Sequence, residues 1–273
     1  MTPDSRRNQA LLVFDSLRWD VFQKAKIPFL KKLGKWKLAY TPGNYTFPAH
    51  MSFFVGKIPQ TLDNTQYYDT VATRFGIAGR KPKPDQLWRL GNPEAPRPSK
   101  YTLEGQNIIS GFRAQGYLTI GTGAVNWFNP DLPAGKYLTE LFEHFFYKRG
   151  PNYASHESAE EQVQWVLDCL RVADKPYFLF INFGETHHQY LYKNCPWHGQ
   201  PNPYGNAREC RRRQQACLEY LDKQVEHLLT QLKNLDLVIC SDHGEAMGED
   251  GLWGHGFHHP KIWEVPLLIK AGY

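Results

Sequence analysis

The chain has 273 residues, of which 41% are hydrophobic and 22% are charged. This composition is typical of a globular protein with a substantial core and excludes disordered and collagen-like classes. The 32 Lys and Arg residues against 27 Asp and Glu give a formal charge of +5, which suits an anionic substrate but equally suits plain solubility.

Targeting and redox signals indicate a cytoplasmic protein without a membrane partner. The apolar runs are far shorter than the roughly 20 residues of a membrane-spanning helix. The N-terminal stretch carries basic residues but lacks the apolar segment of a signal peptide. Five cysteines form no Cys-x-x-Cys pair, so we expect reduced thiols and no cysteine zinc finger.

Buried strands alternate with helices along the chain. Continuous apolar runs predict strands at 10–14, 117–120, 177–183, 235–240 and 265–269. Helical periodicity predicts helices at 107–115, 157–172 and 208–232. This alternation predicts an α/β fold with a mainly parallel central sheet and helices on both faces. Its ligand sites should lie at the carboxyl ends of the strands.

A single domain over residues 1–273 is the simplest organisation, because neither an internal repeat nor a linker is visible. Residues 60–106 are richer in Pro, Gly and charge than the rest, as in Gly79-Arg-Lys-Pro-Lys-Pro84. We therefore expect an irregular insertion at about 60–106.

Acidic and imidazole side chains follow three of the predicted strands. They are Asp15, Glu185, His187, Asp242 and His243, and His255 lies farther along the chain after the third strand. Carboxylate and imidazole groups together suit a divalent metal, above all Zn²⁺. Mn²⁺ and Ca²⁺ are alternatives, because both also accept carboxylate ligands.

A hydroxyl group joins this set. Thr46 lies in a turn that enters an apolar stretch, 51–55, which we expect to be a helix with its N-terminus at the site. Backbone N–H groups at a helix start favour a bound oxyanion. A metal beside the Thr46 hydroxyl would lower its pKa and create a nucleophile at neutral pH.

In this order, the motifs resemble the alkaline phosphatase superfamily, which includes sulfatases, nucleotide phosphodiesterases and phosphoethanolamine transferases. Thr46-Phe-Pro-Ala-His50 is similar to the Thr-Phe-Pro-x-His segment of the phosphodiesterases. Ser241-Asp-His-Gly-Glu245 matches the most specific signature of the superfamily, and residues 248–256 resemble its continuation in the transferases. The resemblance spans most of the chain.

The resemblance implies roles for individual residues. It makes Thr46 the nucleophile and places His187 and His255 at a second metal or at the phosphoryl oxygens, so these three are the expected catalytic residues. The principal metal would be held by Asp15, Thr46, Asp242 and His243.

Departures from the family pattern favour phosphoryl over sulfuryl transfer. Sulfatases form formylglycine from a Cys or Ser, and Thr46 cannot supply that aldehyde. Sulfatases also tend to have Asp-Asn where this chain has Asp242-His243. The two-zinc phosphodiesterases carry an Asp four residues before a ligand His, whereas Phe183 and Gly184 stand at those places here. One metal ion or two therefore stays open.

The predicted function is metal-dependent hydrolysis of a small anionic phosphodiester or phosphomonoester. Asn126, Glu185 and Arg211 are candidate substrate contacts, Glu185 alternatively orienting His187. A sulfate-ester or phosphonate hydrolase and a phosphoryl-group transferase are alternatives on the same scaffold. A non-catalytic metal-binding protein is the alternative from another class. Nucleic acid is not an expected partner, because no recognition motif is present.

Overall fold

The computed structural model describes residues 6–56, 58–60, 87–89, 106–148 and 157–273. The strands in chain order are β1 (Asn8–Phe14), β2 (Lys37–Tyr40), β3 (Ile58–Gln60), β4 (Leu87–Arg89), β5 (Leu118–Gly123), β6 (His144–Tyr147), β7 (Tyr177–Phe183), β8 (Leu235–Ser241), β9 (Ala246–Met247), β10 (Trp253–Gly254) and β11 (Glu264–Lys270). The α-helices are α1 (Trp19–Lys24), α2 (Pro28–Lys32), α3 (Thr46–Val55), α4 (Ile108–Ala114), α5 (Pro133–Thr139), α6 (Ala159–Arg171), α7 (Ala207–Leu229) and α8 (Pro260–Trp263).

Seven of these strands form one sheet in the order β2-β11-β8-β1-β7-β5-β6. β11 runs antiparallel to both of its neighbours, and the other adjacent pairs are parallel. The mainly parallel α/β fold predicted from the sequence is thus confirmed. β1 lies at the centre of the sheet between β8 and β7, so the residues that follow it meet the ends of both neighbours.

Helices cover both faces of the sheet, as expected for parallel strands that are apolar throughout. Leu12 and Phe14 of β1 pack into a core with α1, α2, α6 and α7. Val13 faces the opposite side, where a second core contains residues of α3, α4 and α5. In the part of the chain that is described, no helix combines the length and the apolar character that a bilayer crossing requires.

The predicted strands and long helices are present within a few residues of their expected bounds. α3 is the main difference, because it begins at Thr46 rather than at residue 51. Pro48 lies in its first turn, where the N–H that proline lacks would have no helical partner. The expected insertion at 60–106 lies outside the described residues except for 60, 87–89 and 106. Residues 87–89 pair in parallel with 58–60.

Candidate metal centre

Two acidic side chains meet at the carboxyl end of the sheet because of strand register. Phe14 at the end of β1 pairs with Ser241 of β8 on one side and with Phe183 of β7 on the other. The residues that follow, Asp15 and Asp242, therefore emerge side by side. With His243 they form the acidic cluster, in which one ligand atom from each residue lies within 4.8 Å of the others.

The hydrogen bonds of the acidic cluster leave one carboxylate oxygen without a partner, close to a ring nitrogen of His243. Asp242 Oδ1 accepts bonds from the backbone N of Ser16 and His243, at 3.0 and 2.8 Å. Asp242 Oδ2 is buried with no hydrogen-bond partner among the described residues. It lies 3.5 Å from His243 Nε2, and His243 Nδ1 donates to the Gly244 carbonyl at 2.8 Å. That bond puts the proton on Nδ1 and the lone pair on Nε2.

The electrostatics of the acidic cluster fit a bound cation. Burial and the neighbouring Asp15 raise the pKa of Asp242 well above its usual range. Burial and the neighbouring His255 lower the pKa of His243 to about 3, so its ring is neutral. Two buried carboxylates side by side with an orphaned oxygen are costly without a cation between them. The donor set of two carboxylates and one imidazole is one that zinc accepts.

Thr46 places its hydroxyl beside this cluster from the first turn of α3. Its Oγ1 lies 3.4 Å from Asp15 Oδ2 and 3.4 Å from His243 Nε2. His50, one turn later, donates from Nδ1 to the Thr46 carbonyl at 2.7 Å, and the same nitrogen lies 3.7 Å from Asp242 Oδ2. Burial lowers the pKa of His50 to about 4. His50 thus supports the turn as a neutral side chain.

Three histidines form a second group, the histidine cluster of His187, His188 and His255. One ring nitrogen from each lies within 4.8 Å of the others. His187 Nδ1 donates to the His188 carbonyl at 2.9 Å, and His255 Nδ1 donates to Glu245 Oε1 at 3.1 Å. Both rings therefore carry the lone pair on Nε2, the atom a metal ion would use. The sequence did not single out His188.

Glu245 supports the histidine cluster from behind. It is fully buried, and its carboxylate accepts bonds from the hydroxyls of Tyr190 and Tyr204 as well as from His255. Burial by itself would raise the pKa of Glu245, but the bond and charge of His255 together with His188 bring it below its ordinary value. Glu245 is therefore an ionised carboxylate.

The three predicted substrate contacts lie in different surroundings. Glu185 is fully buried, and its Oε1 accepts a bond from the backbone N of Ala159 at the start of α6, at 2.7 Å. Burial raises the pKa of Glu185 to about 8. Arg211 donates to Glu249 at 2.6 Å. Asn126 is exposed and accepts a bond from the Tyr147 hydroxyl at 3.2 Å. None of these hydrogen bonds joins its residue to either cluster.

Two buried amides hold the site together and were missed by the sequence reasoning. Asn182 Nδ2 donates to Asp15 Oδ2 at 3.2 Å. Gln214 of α7 donates to the carbonyls of Ser16 and Thr186, both at 2.9 Å. Asn182 is a lone amide in the otherwise apolar run of β7, and that mismatch is a signal that could have revealed it.

Comparison with known proteins decides the family. The sequence model of the Sulfatase family matches residues 34–272. The chain belongs to the Sulfatase family. This match confirms the resemblance of the chain to the alkaline phosphatase superfamily.

Known relatives of the sulfatase-family chain differ in their chemistry. Choline-sulfatase of Rhizobium meliloti is 31% identical over 110 residues, which span 38% of this chain but only 22% of that protein. The C-terminal periplasmic domain of EcEptC from Escherichia coli, solved in complex with Zn, has a TM-score of 0.65 at 14% identity and covers 97% of this chain and 73% of its own. Phosphonate monoester hydrolase of Agrobacterium radiobacter has a TM-score of 0.61 at 15% identity, covering 97% and 68%. At these identities the solved structures establish the fold.

Proposed function

We propose that this chain is a metal-dependent phosphoric ester hydrolase in which Thr46 is the nucleophile. The observation that carries the proposal is the position of Thr46 Oγ1, 3.4 Å from both Asp15 Oδ2 and His243 Nε2. A hydroxyl in a helix first turn beside a metal-ligand set is the arrangement that activates an oxygen nucleophile. The alternative is that the Thr46 hydroxyl only caps the start of α3. A capping role alone would not require the acidic cluster next to this hydroxyl.

The acidic cluster and the Thr46 oxygen would hold the principal ion, with zinc the best match to the donors. Bound there, zinc would stabilise the Thr46 oxygen as an alkoxide and offset negative charge on the transferring group. The histidine cluster would hold a second ion. The histidine cluster is better suited to bind a cation than to bind the anionic oxygens of a phosphoryl group. A neutral ring offers a cation its Nε2 lone pair, whereas an anionic oxygen would need an N–H donor at that position.

The chain's own residues position the reaction in two steps. Thr46 Oγ1 attacks the phosphorus and loses its proton, and the bond from phosphorus to the alcohol oxygen breaks, so that the alcohol departs with a proton and a phosphothreonine remains. Water then attacks that phosphorus, its hydroxyl stays on the phosphate product, and the bond to Thr46 Oγ1 breaks while the other water proton restores the Thr46 hydroxyl. Asp15 Oδ2 faces the hydroxyl proton of Thr46, and His50 fixes the main chain that carries the nucleophile.

Phosphoryl rather than sulfuryl transfer is favoured by the residues at the centre. Thr46 cannot become formylglycine, and a histidine follows Asp242 where sulfatases tend to have asparagine. Choline-sulfatase and phosphonate monoester hydrolase are named for a sulfate ester and for a phosphonate monoester. The substrate we propose is a small anionic phosphate ester. A cytoplasmic location stays a prediction from the sequence.

The decisive experiment compares Thr46→Ala with Thr46→Ser in zinc-loaded protein. Loss of the hydroxyl should reduce turnover of an aryl phosphate diester by on the order of 10³-fold or more. Zinc should stay bound in Thr46→Ala, because the two carboxylates and His243 remain. Thr46→Ser keeps the hydroxyl and should keep part of the activity. Full activity of Thr46→Ala would remove Thr46 from the mechanism.

A matched substrate panel separates the alternatives. The 4-nitrophenyl phosphate diester, phosphate monoester, phosphonate and sulfate share a leaving group, so their rates report the transferred group. Faster turnover of the sulfate would replace the proposed function with sulfate-ester hydrolysis. Stoichiometric zinc without turnover of any ester would favour the non-catalytic metal-binding protein.

A further inference from the structure

The buried carboxylate of Glu245 accepts three hydrogen bonds, one of them from a ring of the histidine cluster. Oε2 accepts the Tyr190 hydroxyl, and Oε1 accepts both the Tyr204 hydroxyl at 2.5 Å and His255 Nδ1 at 3.1 Å. His188 Nδ1 lies 3.8 Å from the same Oε1. One buried carboxylate therefore faces two of the three rings in the histidine cluster.

The backbone at Tyr190 is held in an unfavourable conformation to make this contact. Its φ of 57° lies in the left-handed region, which a bulky side chain rarely adopts. The backbone N of Tyr190 donates to the His187 carbonyl and Trp197 Nε1 donates to the Tyr190 carbonyl, both at 2.7 Å. Such strain persists where the surrounding structure overdetermines it, commonly at functional sites. Here it directs the Tyr190 hydroxyl onto Glu245 immediately after the histidine pair.

The two tyrosines anchor the carboxylate from two separate loops. Tyr190 is fully buried and follows β7, whereas Tyr204 is partly buried and precedes α7. A carboxylate fixed by two hydroxyls has little freedom to rotate, so its contact with His255 has a defined direction. A hydrogen bond of this kind sets which ring nitrogen keeps the proton and where the other one points.

We propose that Glu245 is a positioning residue for the histidine cluster, which holds His255 with Nδ1 protonated and Nε2 turned to the ligand position. Tyr190 and Tyr204 hold the carboxylate in place for that task. This inference rests on the proposed function only in assigning the cluster to a second zinc ion. The orientation of the His255 ring does not depend on a bound ion and is a property of the metal-free protein.

The test replaces the pair as Tyr190→Phe/Glu245→Leu. Replacing Tyr190 together with Glu245 by apolar groups of similar shape avoids leaving the fully buried Tyr190 hydroxyl without an acceptor. The partly buried Tyr204 is kept. The matched control is Glu185→Leu, because Glu185 is also fully buried but bonds to a backbone N of α6 instead of a histidine. Thermal unfolding and circular dichroism establish that each variant is folded.

The first readout is the tautomer of His255 in metal-free, ¹⁵N-labelled protein, read from long-range ¹⁵N–¹H correlation spectra and assigned with His255→Gln. We expect Nδ1–H in the wild type and in Glu185→Leu, and a loss of that single tautomer in the double variant. The same tautomer in a folded double variant would overturn the proposal. The tautomer of His255 tests the proposed role of Glu245 even if the histidine cluster binds no zinc.

The second readout is the zinc-binding isotherm. The double variant should weaken zinc at the histidine cluster by about 10- to 100-fold and leave the affinity of the acidic cluster unchanged. Unchanged affinity at both clusters would also count against Glu245. A wild type that binds only one zinc per chain would refute the second ion of the proposed function, and the tautomer would still report on Glu245.

Discussion

The imidazole rings of His243 and His255 lie with their centroids 4.4 Å apart. His243 belongs to the acidic cluster and His255 to the histidine cluster, so the two candidate ion positions are neighbours in one site. Because each ring carries its lone pair on Nε2, the two rings can serve separate ions.

Zinc content should report the two positions separately. We expect near two zinc ions per wild-type chain by elemental analysis, one fewer in Asp242→Ala/His243→Ala and one fewer in His255→Ala. The first variant removes two ligands of the acidic cluster, and the second removes one ring of the histidine cluster. Protein that is metal-free as purified and takes up no added zinc would contradict the proposed mechanism.

Gln214 should matter for both stability and activity, because it joins the loops that follow β1 and β7. Gln214→Leu leaves the Ser16 and Thr186 carbonyls without this donor, which costs roughly 1–3 kcal/mol of unfolding free energy for each. Ser16 N binds Asp242, and the Thr186 hydroxyl binds the Asp15 carbonyl. Loosening both should lower kcat by about 10- to 100-fold.

The neighbouring Gln215→Leu is the control for Gln214→Leu. Gln215 is partly exposed and donates to Glu219 on the same helix, so its loss should change the unfolding free energy by about 0.5 kcal/mol or less. Denaturant unfolding and steady-state kinetics of both variants measure the difference. Equal effects would show that Gln214 has no special structural role.

Glu209 should contribute stability that disappears in acid. Hydrogen bonds from Arg212 and Arg213 lower the pKa of Glu209 to about 2. A depressed carboxyl pKa stabilises the fold above the ordinary value of 4.5, and this contribution is lost as pH falls towards 2. Because the side chain is 26% exposed, we expect about 1 kcal/mol or less.

The measurement is the unfolding free energy of wild type and Glu209→Gln between pH 7 and pH 2. The difference should be largest near neutrality, shrink below pH 4.5 and fall further in high salt. Arg213 also donates to the Pro201 carbonyl and to Gln200, so the ion pair steadies the loop that leads to Tyr204. A difference independent of pH would mean that the charge of Glu209 contributes nothing.

The strands of the central sheet were predictable because their apolar runs report burial on both faces. β1 and β7 appear close to their expected bounds for this reason. The short strands β2 and β6 were not predicted. Each of these strands has only four residues, most of them partly exposed, so neither shows a clear hydrophobic pattern. Pairing with a neighbouring strand gives them their extended conformation. The apolar stretch 51–55 predicts a later start of α3 than the structure has, because the preceding turn at 44–50 carries no helical pattern.

The sequence by itself determined the types of groups at the site and their order along the chain. Asp15, Thr46, Asp242 and His243 each follow a strand end or begin a helix, and the order of the motifs alone relates them to one site. The chemical groups of the side chains and the spacing of apolar residues are properties of the sequence itself, so they can be inferred without knowledge of the fold.

Only the tertiary structure decided which of these groups meet. The position of β1 between β7 and β8 brings Asp15 to Asp242. The segment after β7 brings His188 to His255, and the segment after β8 brings Glu245 to the same ring. It also turns Glu185 to the start of α6. Contacts between residues far apart in sequence depend on strand order and register, which local patterns do not encode.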